Sequence, residues 1–176
     1  MRAPLIATTV AACVLALTLF VGPVAASEPT SATLSVTGGA LTMTVPADAG
    51  SLGSRANAVG GGTISGPLGE VQVNDARSAA AGSGWVASVI STAFTPPSGP
   101  AIPASAVGYT AGTIVKVGTA TYTANNPSNL TGVAPAITAT GITGDNSATW
   151  NPTITVTVPG GMAANVYSAT ITHSVV

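Results

Sequence analysis

Charge is what this sequence has least of. Four Lys and Arg face five Asp and Glu in 176 residues, 5% charged in all, where about a quarter is usual. Without a basic footprint, nucleic acid is excluded as a partner. Cysteine is almost absent too. Cys13 is the only one, and it lies in the N-terminal apolar run, so the rest of the chain has no disulfide and no thiolate metal site. A lone histidine, His173, has no cluster of partner ligands to complete a metal centre. Aromatics make up 4% of the chain, including two tryptophans, Trp85 and Trp150. Past the N-terminus no segment keeps a helical period. What remains is Thr, Ser, Ala, Gly and Asn with many Val and Ile, and the β-branched residues among them form strands. Disorder, which needs high charge and few such residues, is excluded.

Met1–Ala26 reads as a signal peptide. Arg2 supplies the positive start, Leu5–Val21 is uncharged and apolar, Gly22-Pro23 breaks the run, and Val24-Ala25-Ala26 offers small residues for cleavage. A retained membrane anchor and a lipid on Cys13 are the alternatives. Ser27–Val176 is expected to be one domain, secreted, with no membrane association after cleavage. A chain of this size buries roughly 70% of its unfolded surface, enough for a core without staples.

The pattern along Ser27–Val176 is a series of short strands divided by turn residues. Thr33–Val36 and Ala40–Val45 flank Gly38-Gly39 as a hairpin would. Val71 and Val73 alternate with Gln72 and Asn74. Asn74–Arg77 reads as a polar turn, and alternation resumes with Trp85, Ala87 and Val89 on one face. Ala106–Tyr109, Thr113–Val117, Thr119–Thr123 and Ala136–Ile142 are further strands, and Gly144-Asp145-Asn146 reads as a turn. Ala148–Val158 puts Ile154, Val156 and Val158 opposite Thr153, Thr155 and Thr157. Val166–Val176 puts Tyr167, Ala169, Ile171, His173 and Val175 opposite hydroxyls. The two are expected to be neighbouring strands. The fold class is all-β, a single β-sandwich of mostly antiparallel strands. The final strand ends the chain, and no C-terminal anchor is expected.

Catalysis has little to stand on. Glu70 and Asp75 fall on opposite faces, whereas a glycosidase holds two carboxylates across one bond. No nucleophile-elbow motif accompanies His173, which is expected to be a partly buried ring hydrogen-bonded to backbone. Asp75 and Arg77 are expected to form a local surface bridge or to brace their turn, with a ligand-binding Arg77 as the alternative. Lys116, between Val115 and Val117, raises the idea of a covalent Lys–Asn cross-link. Gly60-Gly61-Gly62 lacks the Lys-Ser or Lys-Thr of a phosphate loop. No cofactor is expected, and the chain is not expected to be an enzyme. The tryptophans serve packing or partner contact.

Taken together, Val71-x-Val73-Asn74-Asp75-x-Arg77, then Gly84-Trp85-Val86-Ala87, a Thr-rich strand ending Val158-Pro159-Gly160, and a last strand opened by Tyr167 resemble the WxL-type cell-surface domains of Gram-positive bacteria. The tripeptides differ from the family pattern. Trp85-Val86-Ala87 stands for Trp-x-Leu, and His173 takes the place of the second tryptophan. The resemblance implies non-covalent association with peptidoglycan or another cell-wall polymer, or with surface protein partners. It points to Trp85, Tyr167, Ile171, His173 and Val175 as the contact residues. A subunit of a surface filament or adhesin, pairing through sheet edges, is the alternative.

Overall fold

The computed structural model describes residues 31–176. The signal-peptide reading and Cys13 therefore lie outside the described residues. Among those described, no helix is long and apolar enough to cross a membrane.

Among the described residues, eight strands form two antiparallel sheets: β1 (Leu41–Thr44), β2 (Gly62–Pro67), β3 (Val71–Ser91), β4 (Val107–Thr110), β5 (Ile114–Ala124), β6 (Ala134–Trp150), β7 (Thr153–Val158) and β8 (Ile171–Val175). The larger sheet has the order β1-β3-β6-β5, with β8 also paired to β3; the smaller is β2-β7-β4. The expected β-sandwich is what the chain forms. Inward residues of both sheets meet in one core that includes Val71, Val73, Trp85, Tyr109, Ile142, Trp150, Ile154 and Val156.

One corner sets this arrangement. β2 pairs with β7 in the small sheet, while β3 pairs with β6 in the large one. The chain passes from β2 to β3 through Leu68–Glu70 and from β6 to β7 through Asn151-Pro152, so both strand pairs change sheet at the same place. The Leu68 amide donates to the Pro152 carbonyl at 2.8 Å, and the Gly69 amide donates to Asn151 Oδ1 at 3.1 Å. Pro152 is fully buried. A proline cannot extend the β6 ladder, and it fixes the bend.

Several expected boundaries move. Thr33–Val36 is not a strand, and Leu34 and Val36 are exposed. β1 pairs instead with β3, Leu41 opposite Asp75. Gly38 and Gly39 serve close approach rather than a turn. A Cβ at Gly39 would come 2.9 Å from the Ala76 Cβ, and one at Gly38 would come 3.0 Å from the Arg77 carbonyl oxygen. The polar turn at Asn74–Arg77 does not reverse the chain either. β3 runs through it as one strand, with register shifts between Asp75 and Ala79, Ala79 and Ser83, and Ser83 and Trp85. Its turn-prone residues are taken up as bulges because the flanking runs on both sides pair with β6. Gly144-Asp145-Asn146 likewise lies inside β6. Thr113–Val117 and Thr119–Thr123 merge into β5. Ala148–Val158 is split at Pro152 between the two sheets, so β7 and β8 are not neighbours: they belong to opposite sheets. The inward parity of Trp85, Ala87, Val89, Ile154, Val156 and His173 holds throughout.

Ile154 is fully buried on the central strand of the small sheet. Ile154→Ala is expected to lower folding stability by about 2–5 kcal/mol, read as an earlier urea midpoint with an unchanged slope.

Candidate functional site

The bulged middle of β3 carries Asp75 and Arg77, two of the few charged side chains, and leads into Trp85. Asp75 has no exposed surface. A buried carboxylate must be paired and hydrogen-bonded to be tolerated, and here both conditions are met. Arg77 Nε donates to Asp75 Oδ1 at 2.8 Å, and Arg77 Nη2 donates to Oδ2 at 2.9 Å. The Arg77 amide adds a bond to Oδ1 at 3.2 Å. The hydrogen bonds from the Arg77 side chain hold the Asp75 carboxyl below its ordinary range against the opposing effect of burial. The expected bridge is therefore present, but one of its partners is in the core, not on the surface.

Arg77 also spans the bulge. Its Nη2 donates to the Gly84 carbonyl at 3.3 Å, so one guanidinium ties the start of the small-residue run Ser78–Ser83 to its end. Within that run Ser78 has φ of 54°, a left-handed conformation uncommon for a side-chain-bearing residue. Asp145 from β6 holds it there: the Ser78 amide donates to Asp145 Oδ1 at 2.9 Å, and its hydroxyl lies 3.3 Å from the same oxygen. Gly84 passes close to β6, where a Cβ would fall 2.6 Å from the Ala139 carbonyl oxygen. A shallow open groove beside the bulge is lined by Arg77, Ala79, Ser83 and Gly84.

Behind Asp75 lies a hub that the sequence reading does not identify. Asn146 is buried on β6, and its Nδ2 approaches Asp75 Oδ2 at 3.4 Å. Its Oδ1 accepts from Trp85 Nε1 at 3.1 Å and from the Tyr122 hydroxyl at 3.1 Å. Trp85 and Tyr122 pack with ring centroids 5.6 Å apart. One amide thus joins β3, β5 and β6. The signal was available: Ile142, Asn146, Ala148 and Trp150 share one parity, which a turn at Gly144–Asn146 would have broken.

A second polar link joins the sheets. Trp150 Nε1 on β6 donates to the Tyr109 hydroxyl on β4 at 2.7 Å. That hydroxyl lies 3.3 Å from His173 Nε2 on β8. Burial pushes the His173 pKa down to about 4 and the Tyr109 pKa up to about 12, so both groups stay uncharged over a wide range. His173 bonds to a tyrosine side chain rather than to backbone as expected.

The five residues singled out by sequence resemblance are placed as follows. Trp85 is 2% exposed, so its indole is a core anchor and not a free contact surface. Ile171, His173 and Val175 are half-buried and face inward on β8, in register with Ser91, Val89 and Ala87 of β3. Tyr167 lies before β8 and donates its hydroxyl to the Ala163 carbonyl at 2.8 Å. The fold thus brings Trp85, Ile171, His173 and Val175 onto the inner face of adjacent strands, and leaves Tyr167 apart. Lys116 is exposed, which removes the buried setting that a covalent Lys–Asn cross-link requires. Among the described residues, no three His, Cys, Asp or Glu side chains gather as metal ligands would. Comparison of the chain with family models, curated proteins and solved structures finds no match.

Two outcomes are expected. Asn146→Ala leaves the buried Trp85 N–H and Tyr122 O–H without their acceptor, and stability should fall by about 2–5 kcal/mol, measured by chemical unfolding. His173 has a folded-state pKa below its unfolded value of 6.5, so its contribution is complete above that pH and is lost as pH falls toward about 4. Melting temperature should therefore drop across this window. The drop should flatten in His173→Phe, while the Asp75 contribution, governed by a pKa lowered from 3.8, persists until the pH is lower still.

Proposed function

We propose that this chain is a secreted, non-catalytic surface protein that associates non-covalently with the cell wall through its polymer or through protein partners at that surface. The observation that carries this reading is the division of labour between the two faces of the sheets. Trp85, Ile171, His173 and Val175, the positions that resemble the WxL pattern, serve the inner face of β3 and β8. They fix the sandwich and leave outer faces rich in Thr and Ser for contact. A structural role for the motif residues also accounts for the substitutions. Ala87 and His173 keep inward parity and pack against the core, which asks for volume and partners rather than for a Trp-x-Leu surface.

Chemistry of the enzymatic kind has no comparable support. Asp75 is already neutralised by Arg77. His173 is committed to Tyr109, with no serine among its hydrogen-bond partners.

A second reading, a subunit of a surface filament, is favoured by β5. It is an edge strand of the large sheet, eleven residues long, with exposed Val115 and Val117. Lys116 lies between them on the same edge, and a lysine there opposes edge-to-edge pairing. The wall-associated protein is the better account.

The test is a pull-down of the secreted protein on insoluble peptidoglycan beside a β-sandwich of similar charge. The protein should be retained well above the control. Trp85→Phe should remain bound at temperatures where it stays folded, because the ring is internal. Retention no better than that of the control would reject wall association.

A further inference from the structure

We infer that the outer edge of β8 pairs with the same edge of a second copy of this chain, joining two large sheets about a two-fold axis. This is independent of what the protein binds at the wall.

The other sheet edges each carry a device that blocks such pairing. In the small sheet, Leu52 lies against β2, where an added Cβ on Gly66 would fall 2.5 Å from the Leu52 carbonyl oxygen. On the outer side of β4, the Tyr109 amide donates to the Pro127 carbonyl at 2.8 Å, and just beyond it the Ala111 amide donates to Asn126 Oδ1 at 2.9 Å. In the large sheet, β5 is broken by register shifts between Val117 and Thr119 and between Thr119 and Thr121. It also carries Lys116 opposite the buried Ala148, on the inward side of the strand. Bulges, covered edges and inward charges are the means by which edges avoid partners. β1 is only four residues long. β8 has none of these devices. Ile171-Thr172-His173-Ser174-Val175 holds unbroken register with β3 and contains no proline, glycine, lysine, arginine or acid.

The hydrogen-bond phase shows which groups of β8 are free. The Val86 amide donates to the Val176 carbonyl at 2.9 Å and the Val176 amide to the Val86 carbonyl at 3.1 Å, while the Thr92 amide donates to the Thr170 carbonyl at 2.9 Å. In an antiparallel ladder bonding alternates along the strand. Thr172 and Ser174 therefore bond toward β3, and the N–H and C=O groups of Ile171, His173 and Val175 point away from it. Among the described residues no strand or hydrogen bond takes up these outward groups.

This edge is its own complement. An antiparallel pairing centred on His173 sets Ile171 against Val175 of the second copy and His173 against His173, and each such pair exchanges N–H···O bonds in both directions. Thr172 then meets Ser174 of the second copy on the outer face. Apolar side chains oppose apolar ones and hydroxyls oppose hydroxyls. The two imidazoles are uncharged above about pH 4. A slip of one residue would set inward side chains against outward ones, and a slip of two would leave outward backbone groups unpaired. The half-buried Ile171, His173 and Val175 gain cover from the adjoining strand. Pairing of this kind is isologous: it consumes both β8 edges and closes at two copies, where a filament would continue. On a repeating wall polymer, two joined copies also gain avidity without any new contact.

The experiment is sedimentation velocity on the full secreted protein. One strand pair makes an interface at the small end of the specific range, so the concentrations run from about 1 μM to about 500 μM. Val175→Pro removes an outward N–H and sets a ring on the edge, while the bonds of Ser174 and Val176 to β3 remain. Thr172→Lys/Ser174→Lys and Thr172→Glu/Ser174→Glu each place like charges opposite one another across the two-fold axis. Thr121→Lys/Thr123→Lys puts the same charges on β5 as the control. Melting curves confirm folding. The expected result is a concentration-dependent monomer–dimer equilibrium with no larger species. Val175→Pro should abolish it, each charged β8 variant should weaken it about tenfold, and the β5 variant should leave it unchanged. An equimolar mixture of the Lys and Glu variants should restore dimers. A protein that stays monomeric at the highest concentration would overturn the inference. So would dimers undiminished in Val175→Pro and both charged β8 variants, assembly beyond two copies, or association lost in the β5 variant.

Discussion

A carboxylate without solvent, Asp75, imposes the constraint on which the rest of this structure depends. A charge taken out of water is strongly unfavourable unless paired and hydrogen-bonded. The chain meets that requirement with one of its few cations, Arg77, two residues along the same strand, and with the Asn146 amide from β6. Once Arg77 is fixed to Asp75, it also reaches Gly84. Asn146, turned to face Asp75 and Trp85, fixes where β6 meets β3 and where Tyr122 of β5 reaches in. In a sheet otherwise held by small apolar contacts, these directional bonds specify a register that hydrophobic packing alone leaves loose.

The two polar centres divide the work. The Asp75–Asn146 cluster lies within the large sheet and aligns three of its strands. The Trp150–Tyr109–His173 link crosses between sheets and ties the last strand, β8, to β4. Both place a tryptophan N–H on a buried acceptor, and no buried side-chain polar atom is left without a partner among the described residues. Scarcity of aromatic residues is compatible with a defined fold because four of them, Trp85, Tyr122, Trp150 and Tyr109, are held at these two points.

Much of this fold is legible in the sequence wherever period 2 persists. Trp85, Ala87 and Val89 alternate cleanly, as do Ile154 and Val156, and their inward direction follows from parity. The misreadings share a physical cause: turn-prone residues do not always turn. Gly38 and Gly39 permit close approach to β3, Asn74–Arg77 and Gly144–Asn146 become bulges, and Pro152 divides one alternating run between two sheets. In each case the deciding factor is a strand distant in sequence, which local propensity cannot register. The site was half legible. Asp75 and Arg77 stand out because charge is rare, whereas Asn146, Tyr122 and Tyr109 acquire their roles only through pairing across strands. Trp85 drew attention as an aromatic for partner contact, and its partners proved to be internal.

The most direct measurement of the central claim is the environment of Trp85. In Trp150→Phe, Trp85 is the only tryptophan and can be excited selectively at the red edge of the absorption band; it is buried against Tyr122 and bonded to Asn146. The native emission should be blue-shifted relative to the unfolded chain and resistant to quenching by acrylamide, and Asn146→Ala in the same background should increase access to the quencher. Emission and quenching of the native protein equal to those of the unfolded chain would place Trp85 in solvent and contradict the buried hub.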